Sequence, residues 1–559
     1  MMFLVKAEDF SLLKLNATPV ILTGSLLLVQ VAQIFLLILF EKVDYDTFTY
    51  YFSKVELMRF WTPSNHPVMS FVQEYLPIGY SKFQKLFASG LYARNAGNYL
   101  IVAAVAAYLC IYVRRLWLPL AFLALTNVAF FTQYVGYKTD APLAALSVLL
   151  LHLISRHPFP LQVTASVLIV GVILSIKWTG GLVILPALAI FLWRVSMGRA
   201  SISLFDAISA CVTTVILANW LELGIYLDTF IATGSFVPTE TFGVGTLKMP
   251  DPILLAGNLL KYITVAGVET FEPIWRRLLD YPAVGYLIEN ITLGAKTNVI
   301  MNTNEIYVPL NIFDALGMIA CVLVLRSNNA FVTSCAVTAI FYYVISLSVV
   351  YYLPAGNRYY LPAQIISYVP LAYLGRIMYQ RLSRRIDDPL RSRLALGVAA
   401  AVAIFHLCTT GGMILFDKER NLLPNVDTPL VSTQSIKERT VALDVRNPIY
   451  REDAVAQLFR GWLDYQLVYR AMQQKMSSSD DLEVIFDSSA NDTDYNYPFL
   501  RHREAANTKL TNIRGVPNAD VRLASMRVLC FGKRACSLKP PDYEEVRQVS
   551  ALVAFWTKR

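Results

Sequence analysis

Apolar runs near residues 18–40, 97–113, 116–134, 140–155, 160–176, 179–194, 203–222, 306–326, 330–352, 360–376 and 393–416 follow one another along most of the chain, about eleven in all. A helix that crosses a bilayer core needs about 20 mainly apolar residues. Inside lipid each backbone N–H and C=O must find its partner within its own segment, so such runs fold as helices. The composition agrees. Of 559 residues, 55% are hydrophobic and 16% charged, where soluble chains carry about 25% charged residues. The mean hydropathy is +0.47. These values exclude a cytosolic globular protein, a disordered tail and a fibrous repeat. The expected class is an all-α polytopic membrane protein with about 11 transmembrane helices. The first run has no small-residue cleavage site after a short apolar core, so it reads as a span rather than a removable signal peptide.

Loop charges orient the set. Arg114 and Arg115 follow the second run, Arg156 the fourth, Arg194 and Arg199 the sixth, and Arg326 the eighth. Arg376, Arg381, Arg384, Arg385, Arg391 and Arg393 lie between the tenth and the eleventh. With a cytoplasmic N-terminus all of them fall on one side, and by the positive-inside rule that side is the cytoplasm. An odd number of spans then leaves the C-terminal tail outside. The net charge of +9 is topological in this reading, and no basic stripe with interleaved aromatics points to nucleic acid. The expected organisation is a transmembrane domain over 1–416, with outer loops at about 41–96 and 223–305, and a small extracytoplasmic domain over 417–559.

The tail mixes strand and helix signals. Leu482–Phe486 and Met526–Phe531 read as short strands, and 451–475 has helical spacing. A small C-terminal α/β domain is the expected class. Cys530 and Cys536, six residues apart, suit a small closed loop in an oxidising compartment. The other five cysteines (Cys110, Cys211, Cys321, Cys335 and Cys408) lie in apolar runs and read as small core residues. In the first outer loop Phe48, Tyr51, Phe52, Val55 and Met58 recur at helical spacing, interrupted by Lys54, Glu56 and Arg59. That pattern suits a helix in the lipid interface, or one packed on the protein.

Ionisable groups at membrane depth are costly, so their positions carry information. The first outer loop opens with Asp44 and Asp46; the turn between the third and fourth spans reads Gly136-Tyr137-Lys138-Thr139-Asp140. The turn between the fifth and sixth reads Ser175-Ile176-Lys177-Trp178-Thr179-Gly180-Gly181, and that between the ninth and tenth reads Gly356-Asn357-Arg358-Tyr359-Tyr360-Leu361-Pro362. By parity all four face outward. A carboxylate there can take a proton from an acceptor hydroxyl. Lys and Arg can hold the phosphate of a lipid-linked donor, Arg bidentately. Tyr359, Tyr360 and Trp178 can flank an isoprenoid or a sugar face. Each charge also has a plainer role open to it, anchoring a helix end; it is their gathering on one face that singles them out.

The membrane part resembles the GT-C glycosyltransferases, in particular bacterial relatives of protein O-mannosyltransferases and of the lipid A aminoarabinose transferase. Many members have a first outer loop of the form Asp-small-Leu-Thr-Tyr-His followed by a basic-Val pair. Asp46-Thr47-Phe48-Thr49-Tyr50-Tyr51 and Lys54-Val55 resemble it, with Tyr51 where His is common and Lys54 where Arg is common. Lys138-Thr139-Asp140 resembles the second acidic turn, and Arg358-Tyr359-Tyr360-Leu361-Pro362 the Arg-Tyr-X-X-Pro start of a late span. Asp492–Pro498 is similar to an acidic, aromatic-Pro stretch in some outer domains. The resemblance covers roughly 1–416 and is weaker in the tail. It implies a membrane enzyme that moves a sugar from a polyprenyl-phosphate donor to a lipid, saccharide or protein acceptor on the outer face of a bacterial inner membrane. Asp46 would be the catalytic base or position the acceptor, with Asp44 as its rival and Asp140 next. Lys138, Lys177 and Arg358 would meet the donor phosphate, and Tyr359, Lys54 and Tyr50 would bind substrate.

Weaker candidates have equal or better structural readings. His66, in Pro63-Ser64-Asn65-His66-Pro67, touches a substrate or caps its loop; Glu74 is a second acid or a surface residue. Glu222 and Asp228 line the cavity or mark the end of the seventh span, and His152 and His157 fall near the cytoplasmic side. No His or carboxylate cluster has metal-ligand spacing, so no metal is indicated, although some members of this fold use a divalent ion. No phosphate-binding glycine loop points to ATP or NAD. Two other classes stay open. One is a non-catalytic assembly subunit of the same shape. The other is a lipid transporter or flippase, which predicts paired halves and carboxylates within spans; neither is read here.

Overall fold

The computed structural model describes residues 79–80, 83–84, 96–127, 130, 139–156, 158–200, 202–234, 251–271, 275, 278, 281–295, 310–349, 359–382, 393, 397, 401, 482–486, 509–513, 522–523, 525–531, 533–550 and 553–559. Helices α1 (Ala96–Tyr112), α2 (Arg114–Thr126), α3 (Asp140–Ser155) and α4 (Gln162–Ile176) follow one another. After a 3₁₀ turn at Trp178–Gly180 come α5 (Gly181–Ser196), α6 (Leu204–Trp220), α7 (Ile225–Thr233), α8 (Pro252–Thr270) and α9 (Pro282–Ile291). The described bundle ends with α10 (Ile312–Leu323), α11 (Ala330–Val349) and α12 (Leu361–Leu382).

The core follows from which helices are apolar all round. In α3 every residue except Leu149 is buried, the signature of a helix enclosed by others. It is packed by α1, α4, α5, α11 and α12. Gly317 lets α10 approach α12, since a Cβ there would collide with Ser367. By contrast α6 turns Leu204, Phe205, Ile208, Val212, Val215 and Ile216 outward. An apolar face of that extent suits lipid, not water. Among the described residues, α5 with its preceding turn (Trp178–Ser196), α8 and Ala330–Ser348 of α11 are each long and apolar enough to cross a membrane. The pair Leu204–Trp220 and Ile225–Ile231 passes together but bends by 72° at the turn between them. The run 18–40 lies outside the described residues, as do the first-loop pattern, the helical spacing at 451–475 and nearly all of 393–416. Of the cysteines read as core, Cys321 and Cys335 are buried, but Cys110 and Cys211 are exposed on outward helix faces, where a small apolar residue meets lipid at little cost; Cys408 lies outside the described residues.

Helix α8 lies within the stretch 223–305 expected as an outer loop. Its 19 residues would span a membrane by length and composition. Its contacts place it otherwise. Asn258 Nδ2 donates to the Leu347 carbonyl near the C-terminus of α11 (2.7 Å), and Tyr262 lies against Tyr343 and Tyr360. At its other end Glu269 accepts from the Leu310 amide (2.6 Å) and Thr270 from the Ile312 amide (2.7 Å), at the start of α10. The contacts at Asn258 and at Glu269 and Thr270 thus fall at the end of the bundle that carries the C-terminus of α11 and the start of α10. Asp251 caps its start by accepting from the Ile253 amide (2.8 Å), with Pro252 at the first helical position.

The described tail holds a five-stranded sheet, in the order β2-β1-β3-β5-β4. Its strands are β1 (Leu482–Phe486), β2 (Lys509–Asn512), β3 (Arg527–Phe531), β4 (Tyr543–Ser550) and β5 (Val553–Lys558). β1 runs parallel to β2 and β3, and β5 antiparallel to β3 and β4. A helical turn at Lys533–Cys536 contributes Ala535 to the sheet core, and Cys530 and Cys536 are joined in a disulfide.

If α8 lies across the bundle, Ile253→Cys and Phe271→Cys should both react with a membrane-impermeant maleimide from the same side of a sealed vesicle. Labelling of one from each side would make α8 a span.

Candidate functional site

Three of the four turns singled out in the sequence meet at one end of the bundle, called here the site end. Asp140 is the first residue of α3, where the unpaired amides of a helix start favour a carboxylate. Lys177 has extended backbone (φ −164°) between α4 and the 3₁₀ turn, and its amide donates to the Ile173 carbonyl (3.3 Å). The turn is held tight to α4 because Gly180 sits against Ile173, where a Cβ would collide. From there Lys177 Nζ reaches Asp140 Oδ1 at 2.8 Å, with the two side chains only 13% and 5% exposed. The same ammonium lies 4.5 Å from the Tyr359 ring centroid, within cation–π range. Tyr359 is half-exposed and stands just before α12. Tyr342 of α11, buried beside Thr179, donates its hydroxyl to the Tyr359 carbonyl (2.7 Å). The arrangement joins a cation, a carboxylate and an aromatic face, the elements needed to hold a phosphate beside an apolar group.

A second buried polar group lies beside it. Asn127, the C-cap of α2, donates through Nδ2 to Asp314 Oδ1 (3.0 Å) and to the Tyr368 hydroxyl (2.8 Å). Tyr368 donates to Asp314, whose Oδ2 accepts from the Asn311 amide (2.8 Å) in a capping box at the start of α10. Gln364 accepts from Asn127 (3.3 Å) and donates to the Tyr262 hydroxyl (3.2 Å). Asp314 falls inside the run expected at 306–326, where no carboxylate was read. The helix begins only at Ile312, so Asp314 occupies its first turn, at the site end. The signal was present as Asn311 followed three residues later by Asp314.

Asp44, Asp46, Tyr50, Lys54, His66, Glu74, Lys138 and Arg358 lie outside the described residues. Lys138 and Arg358 adjoin Thr139 and Tyr359 in sequence. Glu222 sits in a left-handed turn (φ 54°) where the chain bends between α6 and α7, so it marks the end of α6; Asp228 is exposed on α7. His152 lies three turns along α3 from Asp140, beside the Tyr108 hydroxyl (3.1 Å), towards the end opposite the site. His157 lies outside the described residues. Among the described residues no three His, Cys, Asp or Glu side chains gather as metal ligands.

No family model matches the chain, and no curated protein matches it. Two solved structures are similar to it over nearly the full length of both chains. The crystal structure of ArnT from Cupriavidus metallidurans bound to undecaprenyl phosphate is 13% identical, with a TM-score of 0.47, covering 97% of this chain and 98% of that one. The same protein in its apo state is 13% identical, with a TM-score of 0.45, covering 95% and 97%.

Lys177→Met leaves Asp140 buried without its cation, and breaking one side of a buried pair costs about 3–5 kcal/mol. The double variant Lys177→Met with Asp140→Asn removes both charges and should be more stable than Lys177→Met alone. A double-mutant cycle on unfolding free energy in detergent checks this, and a double variant as unstable as the summed single variants refutes coupling.

Proposed function

We propose that the chain is a membrane glycosyltransferase of the GT-C type that takes a sugar from a polyprenyl-phosphate donor and transfers it, with inversion, to an acceptor hydroxyl. The observation that carries this reading is the meeting of Asp140, Lys177 and Tyr359, from turns far apart in sequence, at one end of an apolar bundle. A phosphate whose other substituent is an isoprenoid has to be bound where a cation stands at the edge of lipid.

In this reading the acceptor oxygen attacks the anomeric carbon while Asp46 takes the hydroxyl proton, with Asp44 as the rival base. The bond from the anomeric carbon to the phosphate oxygen breaks, and the electron pair leaves with the polyprenyl phosphate. Lys177, with Lys138 and Arg358 from the adjoining turns, stabilises the charge that develops on that phosphate, the role of preorganised cations. Tyr359, Tyr50 and Lys54 contact sugar, isoprenoid or acceptor, and His66 and Glu74 complete the first loop. The acceptor is a lipid, a saccharide or a protein.

The membrane domain is 1–416 with about eleven spans, and 417–559 forms an extracytoplasmic α/β domain. The location is a bacterial inner membrane, with a cytoplasmic N-terminus and a periplasmic tail. The Cys530–Cys536 disulfide supports an oxidising compartment for the tail, and parity puts the site end on that side.

Purified protein in nanodiscs, given radiolabelled polyprenyl-phosphate sugars and crude envelope acceptors, should transfer label. Loss of the general base should lower the rate by about 10²–10⁴-fold in Asp46→Asn. Equal transfer by both proteins removes Asp46 from the mechanism. No transfer by folded wild type with any donor favours a non-catalytic assembly subunit, and lipid movement without sugar transfer a flippase.

A further inference from the structure

Thr139 stands at the N-cap of α3, one residue before Asp140, and is 2% exposed. A threonine at this position ordinarily accepts a hydrogen bond from the second or third amide of its helix. Here the third helical residue is Pro142, which has no N–H, and the backbone at Thr139 (φ −108°, ψ 1°) departs from the extended form usual for a cap. The side chain makes no cap bond, and its Oγ1 is buried with no hydrogen-bond partner among the described residues. A hydroxyl is rarely left so, because burial without a partner is unfavourable.

The carboxylate of the next residue suggests a use for the hydroxyl. Asp140 is held through Oδ1 by Lys177, and among the described residues it accepts from no other side chain. Resting on the proposed reading, Lys177 must turn from Asp140 towards the donor phosphate when the donor binds. Asp140, 5% exposed, would then be a buried carboxylate stripped of its cation, a strongly unfavourable state. We propose that the Thr139 hydroxyl is the reserve donor for Asp140: it takes over the hydrogen bond that Lys177 gives up, so that a phosphate can draw the lysine away. Without donor, Lys177 holds Asp140 and Thr139 is unpaired. With donor, Lys177 holds phosphate and Thr139 holds Asp140. Thr139 is thus a positioning residue, acting through Asp140 on the availability of Lys177.

The test compares Thr139→Val, Thr139→Ser and Lys177→Gln in detergent, with farnesyl phosphate as the probe and farnesol as the control for its apolar part. Valine keeps the shape of threonine and removes the hydroxyl. Thr139→Val should raise the Tm without ligand, because an unpaired buried hydroxyl is gone, yet weaken farnesyl phosphate binding about tenfold, with farnesol unaffected. Thr139→Ser should bind within about twofold of wild type, since its hydroxyl can donate equally. In an Asp140→Asn background the valine effect on binding should largely vanish, as coupled groups are not additive. Were Thr139→Val to bind farnesyl phosphate as wild type does while Lys177→Gln loses it, the reserve-donor role would be wrong and the phosphate role of Lys177 intact. Undiminished binding by Lys177→Gln would overturn both. If Thr139→Val fails to fold, Thr139→Ala against Thr139→Ser separates hydroxyl from methyl: equal phosphate binding by these two overturns the proposal.

Discussion

An ammonium and a carboxylate 2.8 Å apart, each mostly buried, set the geometry of the site end. Removing two charges from water is costly, and their attraction in a less polar medium offsets that cost only when the contact is close and further contacts hold the groups. Here those contacts exist. Asp140 lies on the start of α3, and Lys177 rests against the Tyr359 ring. Tyr342 fixes the backbone of Tyr359 in turn. The pair therefore ties together the start of the central helix, the turn after α4 and the start of α12. Its contribution is position more than net stability: the pair holds the ammonium at the site end, beside the Tyr359 ring.

The second polar group extends this order sideways. Asn127, Asp314, Gln364 and Tyr368 join α2, α10 and α12, and Tyr262 brings in α8. Each member is buried, so a mismatch in any one would strand a partner away from water. Leucines on the same helices could slide by a turn with little penalty, whereas these hydrogen bonds admit one register. Helix α8 is tied to the site end by this means. Its polar residues Asn258, Tyr262 and Glu269 find partners on the terminal turns of α11, α12 and α10.

The parts of this architecture legible in sequence are those where hydropathy changes sharply. α3 was expected at 140–155 and occupies Asp140–Ser155, because Asp140 and Arg156 bound its apolar run. β1 and β3 were visible as short β-branched and apolar stretches. β4 was not, since the edge position in the sheet leaves Glu544, Glu545 and Val546 exposed and its pattern polar. α8 escaped because Asn258, Lys261 and Glu269 dilute its run, and Asp314 because a window average hides one carboxylate among apolar neighbours. Asp140, Lys177 and Tyr359 were readable by type and by turn, and the structure brings these three together. The unpaired state of Thr139 was not, since it depends on the direction of one hydroxyl and on a proline that removes its usual partner. The first-loop carboxylates rest on sequence alone.

The two ends of α3 differ in what their hydrogen bonds hold. At the far end side chains satisfy helix termini. Asp206 of α6 accepts from the Val163 and Thr164 amides at the start of α4 (2.9 and 3.0 Å), and Arg194 donates to the Arg156 carbonyl (2.9 Å). Ser155 donates to Ser334 (2.9 Å), joining α3 to α11. Such bonds replace backbone partners that a helix end lacks, and little is gained by exchanging them. The atoms there without partners, Gln162 Oε1 and Arg194 Nε, belong to side chains anchored through another atom. At the site end Thr139 Oγ1, without a partner among the described residues, is the only polar atom of its side chain, and the next residue is the carboxylate held by Lys177. Rearrangement is least costly where an alternative partner already stands beside the bond to be broken. On the proposed reading a phosphate redirects Lys177 at the start of α3 while the far end of that helix keeps its anchors, and the change stays local.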